Sequence, residues 1–309
     1  MSEPKDSVVD IGDKVIISAP AGVKTIHKTT YPTISATRPE LSQAGKTILV
    51  TGGSVGIGQG IVRSYAEASA SRIIVTGRRR SALEKTTSGL AAEFPKTEFI
   101  ARVSDVASLD DTAALWSGIA AQGITVDVLV LSAAAVGGPG ALISSSLDTV
   151  WAEYVTNVRS QLDFVQRFRA QKGFEDKKKY LVFITTAVIH TPGIDKAMPS
   201  YYLTKQASHS LIQTLADASN PKSLQINLVH PGLIYSEAAI KAGMTSDSLP
   251  FDDIKLPADY SVWAATEEAT FLHGKFAWAA WDVHELRSEE SKKAFESNPH
   301  HLSIRLVGI

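Results

Sequence analysis

Residues 50–60 read "VTGGSVGIGQG". Gly52, Gly56 and Gly58 stand there in the spacing Gly-x-x-x-Gly-x-Gly. Glycine permits positive φ and lets another group approach the backbone closely. Upstream, "KTILVTG" (46–52) is an apolar run of strand length, and from Ile57 to about Ser69 apolar residues recur at helical spacing. A strand, a glycine turn and a helix whose free N–H groups face that turn make an anion site. No Gly-Lys-Ser/Thr follows, so a P-loop is excluded. A tight strand-to-helix turn uses the same glycines without any ligand, so the rest of the chain has to decide.

Outward from this turn the pattern repeats. "RIIVTG" (72–77), "EFIARVS" (98–104), "VDVLVLS" (126–132), "KYLVFITT" (179–186) and "LQINLVHPG" (224–232) read as further strands. Helical periodicity occupies Ser81–Ala92, Ser108–Ala121, 147–172, 199–217 and the region around Ala258–Phe271, before a short strand near "FAWAAWD" (276–282). Strands alternating with helices of ten or more residues imply parallel βαβ units, and near-continuous apolar strands imply a sheet covered on both faces. The expected fold is α/β, a Rossmann-type doubly wound parallel sheet. It forms one domain over residues 45–283, with an N-terminal arm (1–44) and a C-terminal tail (284–309). The arm shows no sustained period beyond one short strand at Val15–Ser18.

In such sheets the end of the second strand chooses the dinucleotide. An acid there takes a ribose 2′-hydroxyl; a basic group meets a 2′-phosphate. This strand ends "VTGRRRSAL", with Arg78, Arg79 and Arg80 in place and no acid before Glu84. Arginine forks match phosphate oxygens, so NADP(H) is the expected cofactor.

Bulk properties exclude several classes. The chain has 309 residues, 44% apolar and 20% charged, with net charge −1. That balance gives no electrostatic case for a nucleic-acid or anionic-membrane partner. No cysteine is present, which excludes disulfides, thiolate metal sites and a cysteine nucleophile. The histidines lack metal-ligand spacing such as His-Glu-x-x-His; they read as surface or core residues, with His190 placed to line a substrate loop. The apolar run "ITVDVLVLSAAAVGG" (124–138) is too short to span a bilayer and contains Asp127. Asp10, Asp13 and Lys14 interrupt any secretory leader. A cytoplasmic protein with a small-molecule substrate is expected. Trp263, Trp278 and Trp281 read as core, with Trp278 touching substrate if the last strand edges the cleft.

In "PSYYLTKQASHS" (199–210) Tyr201 and Tyr202 lie four and three residues before Lys205, so each shares a helix face with the lysine. An exposed tyrosine–lysine pair has the same spacing, and helical geometry leaves both tyrosines open. A phenol has a pKa of about 10. A lysine ammonium and an oxidised nicotinamide ring, both positive and within several Å, favour phenolate and lower that value towards working pH, which suits general acid–base catalysis.

Taken together, "TGGSVGIG" (51–58), "SDV" (104–106), "YYLTK" (201–205) and "HPGLIYS" (230–236) resemble the short-chain dehydrogenase/reductase family in order and spacing. The resemblance covers residues 46 to about 283, and "FLHGKFAWAAWDVHEL" (271–286) looks like fungal members of it. The resemblance implies that Gly52, Ser54 and Ile57, in the turn with Gly56 and Gly58, line pyrophosphate and ribose. It implies that Asp105 and Val106 face the adenine. Where the family usually shows Asn-Asn-Ala-Gly, this chain has Leu131-Ser132-Ala133-Ala134. Weaker bracing is therefore expected there, with Ser132 replacing one hydrogen bond beside Ala133 and Ala134. Asn157 falls at the structural and proton-relay asparagine, and Thr186 at the substrate-side serine. Tyr201 and Lys205 fall at the catalytic tyrosine and lysine, which leaves Tyr202 to packing or a helix-pair interface. Pro231, Gly232, Ile234 and Ser236 fall in the nicotinamide loop.

The implied activity is hydride transfer between NADPH and a ketone or secondary alcohol. A variant use of the same site is non-redox proton chemistry by an epimerase, dehydratase or cyclase; a cofactor-binding scaffold has no need of Tyr201, Lys205 and Asn157 together. Loops 187–200 and 236–258 would set the substrate, and the apolar "YSEAAIKAGMTSDSLPFDDIKLP" (235–257) suits a medium-sized, partly apolar one. A homodimer or homotetramer, paired through helices 147–172 and 199–217, is expected by resemblance.

Overall fold

The structure is a computed structural model that describes residues 8–10, 16–137, 141–191, 198–236, 240 and 243–305. Parts of the expected substrate loops, at 192–197, 237–239 and 241–242, lie outside the described residues.

Two short strands, β1 (Val8–Asp10) and β2 (Ile16–Ser18), pair antiparallel. The main sheet holds β3 (Thr47–Thr51), β4 (Arg72–Gly77), β5 (Glu98–Val103), β6 (Val128–Leu131), β7 (Lys179–Ile184), β8 (Leu224–His230) and β9 (Phe276–Trp278). Their order is β5-β4-β3-β6-β7-β8-β9, and every pairing is parallel. The chain winds outward from β3 to β5, then restarts at β6 on the other side of β3. The exits of β3 and β6 therefore diverge, and a crevice opens at their carboxyl ends.

Helices cover both faces because each strand is apolar on both. In β3, Ile48 and Val50 enter one core and Leu49 the other. The first core packs α1 (Gly56–Glu67), α2 (Arg80–Glu93) and α7 (Lys255–Ala264) through residues such as Ile61, Leu83 and Trp263. The second packs α3 (Leu109–Ala121), α5 (Ser160–Ala170) and α6 (Pro199–Asp217) through Trp116, Phe164 and Ile212. Each such side chain contributes about 1.5–3 kcal/mol on leaving water.

Two helical stretches differ from the periodicity. Residues 147–172 form α4 (Leu147–Tyr154), then a π-helical turn over Val155–Arg159, then α5. Ser160 Oγ and Gln161 Nε2 both donate to the Thr156 carbonyl, at 2.5 and 3.4 Å, inside that widened turn. The expected helix at Ala258–Phe271 is α7 followed by a separate 3₁₀ segment, Glu267–Leu272. The Gln225 and Asn227 amides on β8 capture the Ala264 carbonyl at 3.1 and 2.7 Å, and Gln225 also takes that of Thr266 at 2.9 Å. Those bonds satisfy the end of α7, and Thr266 turns extended (φ −129°, ψ 167°).

The arm and tail meet in space. Tyr31, Ile34 and Leu41 are buried in the first core. Glu285 accepts hydrogen bonds from the backbone of Lys24 and Thr25 at 2.6 and 2.8 Å. Tyr31 Oη donates to the Trp281 carbonyl at 3.1 Å and accepts from the Val283 N–H at 3.0 Å. The tail ends in α8 (Glu289–Ser297), whose Ser291 Oγ reaches the Ala21 carbonyl at 3.0 Å.

Candidate active site

At the start of α1 the glycines make both shape and vacancy. Gly52 and Gly56 take φ of +67° and +55°, where a side chain would be strained. A Cβ at Gly58 would sit 2.2 Å from the Gly52 carbonyl oxygen, so only glycine lets α1 start this close to the turn. The N-cap, Val55, supplies no side-chain acceptor. The N–H groups of Gly56, Ile57 and Gly58 consequently have no acceptor among the described residues. A helix start left open in this way, facing a crevice, fits an anionic group.

The cleft above it has a volume of about 970 Å³. Gly52, Ser54, Ile57 and Gly58 line one end. Arg78 and Arg79, exposed at the exit of β4, flank it with Asp105 and Val106. Asp105 Oδ1 accepts from the Ala107 N–H at 2.9 Å, which fixes the bend after β5. Gly56 shapes the turn without lining the cleft.

Ser132, Ala133 and Ala134 form the wall at the β6 exit. Bracing there comes from a residue that sequence reading missed. Thr51 Oγ1 accepts from the N–H groups of Ser132 and Ala133 at 3.0 and 3.2 Å. Ser132 enters this bracing through its backbone N–H, and its hydroxyl has no partner among the described residues. The signal was a hydroxyl residue ending β3 opposite the β6 exit. Asn157, fully buried, completes the bracing. Its Oδ1 accepts from Ala135 N at 2.7 Å, while Nδ2 donates to the Ala135 carbonyl at 2.8 Å and to Thr204 Oγ1 at 3.0 Å. Both amide hydrogens are thereby used inside the protein, and the side chain stands behind the cleft wall.

The reacting end is built on α6 and the exit of β7. Tyr201, Lys205 and Thr186 all line the cleft. The Tyr201 and Thr186 hydroxyls are hydrogen-bonded. Lys205 Nζ donates to the Ile184 carbonyl at 2.9 Å and lies 4.7 Å over the Phe183 ring. Tyr202 faces away: its Oη accepts from Gln206 Nε2 at 2.9 Å. Burial is the largest influence on the ionisation of both groups in the protein alone. Burial pushes Tyr201 up to about 12, only partly offset by the bond to Thr186, and pushes Lys205 down to about 7. Desolvation is the largest cause for each, because both groups sit at the packed base of the cleft.

Two buried histidines support this end. His230 Nδ1 accepts from the Ala187 N–H at 3.1 Å, and His209 Nδ1 lies 3.2 Å from Thr185 Oγ1. Burial pushes both down to about 3, so both are neutral supports of the Thr185–Ala187 turn. Trp278 does not reach the cleft. It packs edge-on to His230 at 4.5 Å, and its indole N–H donates to His190 Nε2 at 3.3 Å.

Pro231, Gly232, Ile234 and Ser236 close the cleft after β8. Gly232 has φ +89°, and a Cβ there would meet Asp252 Oδ2 at 2.3 Å. That carboxylate accepts from the Leu233 N–H at 2.8 Å and pairs with Lys28 of the arm at 2.8 Å. Among the described residues no cluster could hold a metal ion, and no helix is long and apolar enough to cross a membrane.

The comparisons with known proteins agree with this geometry. The short chain dehydrogenase family profile matches residues 46–246. A short chain dehydrogenase/reductase of Claviceps purpurea is 32% identical over 292 residues, 94% of this chain and 96% of that protein. The short chain dehydrogenase/reductase AacuD of Aspergillus aculeatus is 32% identical, over 92% and 96% of the two chains. Among solved structures, the Pseudomonas aeruginosa RhlG/NADP active-site complex superposes with TM-score 0.68 at 22% identity, covering 78% of this chain and 97% of that one. L-sorbose reductase from Gluconobacter frateurii, complexed with NADPH and L-sorbose, gives TM-score 0.68 at 20% identity over 77% and 96%. On the profile match and the two fungal relatives, the chain belongs to the short-chain dehydrogenase/reductase family of oxidoreductases.

Proposed function

We propose that the protein is an NADP(H)-dependent oxidoreductase acting on a ketone or secondary alcohol of a small to medium, partly apolar substrate. The observation that carries this reading is one continuous cleft with an uncapped helix start and two exposed arginines at one end, and hydrogen-bonded Tyr201 and Thr186 hydroxyls beside Lys205 at the other. The bound cofactors named for RhlG and L-sorbose reductase support the same choice.

The open N–H groups of α1 hold the pyrophosphate, and Arg78 and Arg79 meet the 2′-phosphate. Bound NADPH supplies the hydride. At the reacting end, a tyrosine held at about 12 is a neutral phenol at neutral pH, the form that can give a proton to the substrate oxygen. Thr186 holds the same oxygen, and its bond to Tyr201 aligns the two hydroxyls. Lys205 braces the ribose side. Asn157 keeps the β6 exit in place through Ala135.

The test is Tyr201→Phe. Turnover, followed as NADPH absorbance over a panel of ketones accepted by the wild type, is expected to disappear while NADPH binding by fluorescence titration persists. A variant as active as wild type overturns the proposal.

A further inference from the structure

Glu153 takes no part in the reaction as described, yet it is a buried acid within reach of the catalytic helix. It lies on α4 four residues before Asn157 and is 5% exposed. Ser200 Oγ, next to Tyr201 in the chain, donates to Glu153 Oε1 at 3.1 Å. The backbone amide of Gly137 supports the same carboxyl. A Cβ at Gly137 would lie 2.3 Å from Glu153 Oε1 and 2.5 Å from Ser200 Oγ, so the loop approaches this closely only because residue 137 is glycine.

The Asn157 contacts have the same form one helical turn on. Asn157 joins Ala135 to Thr204, and Glu153 joins Gly137 to Ser200. Residues 153 and 157 are one turn apart, and so are residues 200 and 204. Two parallel rungs thus tie the loop after β6 to the first turns of α6. Between them lies Val136, which lines the same cleft as Ala135 and Tyr201.

We infer that Glu153 is a positioning residue: its rung sets the distance between the substrate-side wall at Ala135–Gly137 and the Tyr201 hydroxyl. This rests on the oxidoreductase reading for its kinetic consequence, though not for its structural one. Glu153 Oε2 is buried without a partner among the described residues, and burial raises the carboxyl above its usual range. A neutral acid is the form such a site favours, and an amide keeps its carbonyl acceptor. Glutamine should therefore preserve the rung, and leucine should remove it.

The experiment compares wild type with Glu153→Gln, Glu153→Leu and Gly137→Ala, using NADPH and the diketone menadione. Misplacing a reacting group by about 1 Å costs about 100-fold in rate. Glu153→Leu and Gly137→Ala are expected to lower kcat by about 10- to 100-fold while the NADPH Kd stays within about twofold. Glu153→Gln is expected to stay within about threefold of wild type in kcat. Hydrogen exchange, read on the same proteins with NADPH added, is expected to rise in peptides covering 132–137 and 198–204 for the leucine variant alone of the two Glu153 changes. Unchanged exchange in Glu153→Leu, or a glutamine variant as impaired as leucine, overturns the inference. A wild type that leaves both NADPH and every ketone untouched counts against the oxidoreductase reading instead, and exchange then decides the rung by itself.

Discussion

Lys205 offers a prediction that needs no substrate. It is 3% exposed, and burial pushes it from 10.5 to about 7. An unfolded chain keeps the lysine protonated up to 10.5, whereas the folded chain releases that proton from about 7 upward. Between those values the unfolded state binds more protons, so the lysine's penalty on folding shrinks as pH rises. Tyr201 acts oppositely, since its raised pKa favours the folded form only while the phenol is protonated, but it enters only above about pH 10. One pH unit inside the window corresponds to about 1.4 kcal/mol. Allowing for half-titration near pH 7, the change from about pH 7 to about pH 9 is about 2 kcal/mol, or about 3 °C in Tm for a chain of this size. Lys205→Met removes the charge and keeps an unbranched stem beside Phe183. Urea unfolding of both proteins, followed by tryptophan fluorescence across that pH range, isolates the lysine as the difference between them. The stability of wild type is expected to climb by about 2 kcal/mol relative to the variant. Parallel curves, or a wild type that loses ground as pH rises, would show that Lys205 stays charged in the fold and refute the burial argument.

Thr186→Val is expected to lower kcat/KM by about 100-fold, the usual loss for one donor at a developing oxyanion, while Thr186→Ser keeps most of it; steady-state kinetics on any accepted ketone checks both. Arg78→Ala is expected to weaken NADPH by about tenfold and leave NADH nearly unchanged, as for one exposed charge-assisted phosphate contact, with the difference shrinking at high salt; paired fluorescence titrations read it, and equal losses for both cofactors count against the arginine argument. Leu147 and Trp151, one turn apart on α4, are 75% and 62% exposed, beside Ile143 at 98%. An apolar stripe of that kind marks an association surface, so light scattering is expected to give a dimer or tetramer, and Trp151→Glu to shift it towards monomer.

Local pattern carried much of the fold because both ends of α6 and most strand cores are written locally. Residues 199–217 were periodic, and the helix is Pro199–Asp217, begun by a proline at its first position and ended where Ala218 leaves helical geometry. The glycine spacing named the turn because a Cβ at Gly58 would meet the carbonyl of Gly52, six residues away. What periodicity could not supply were pairings across long stretches of chain. Glu285 receives the arm from some 260 residues away. Thr51 braces the β6 exit across 81 residues. The π turn at Asn157 was hidden because its apolar spacing differs from that of an α-helix by one residue in five.

The same distinction applies to the site. Sequence placed Tyr201 beside Lys205 and expected an acidified tyrosine under the joint charge of the ammonium and the oxidised nicotinamide. Charge is a property of side chains, but dielectric is a property of packing, and in the protein alone burial is the larger influence at both groups. In the chain by itself Lys205 has one acceptor, the Ile184 carbonyl, and its histidine neighbours are neutral. Among the described residues no carboxylate pairs with that ammonium; the Ile184 carbonyl and the Phe183 ring are its partners. A lysine poised near 7 gains its proton fully only when further acceptors arrive, and ribose hydroxyls are of that kind. Under the proposed function, then, ribose hydroxyls accepting from Lys205 would favour its charged form and so lower the Tyr201 pKa. That coupling would make binding of cofactor before substrate the productive order.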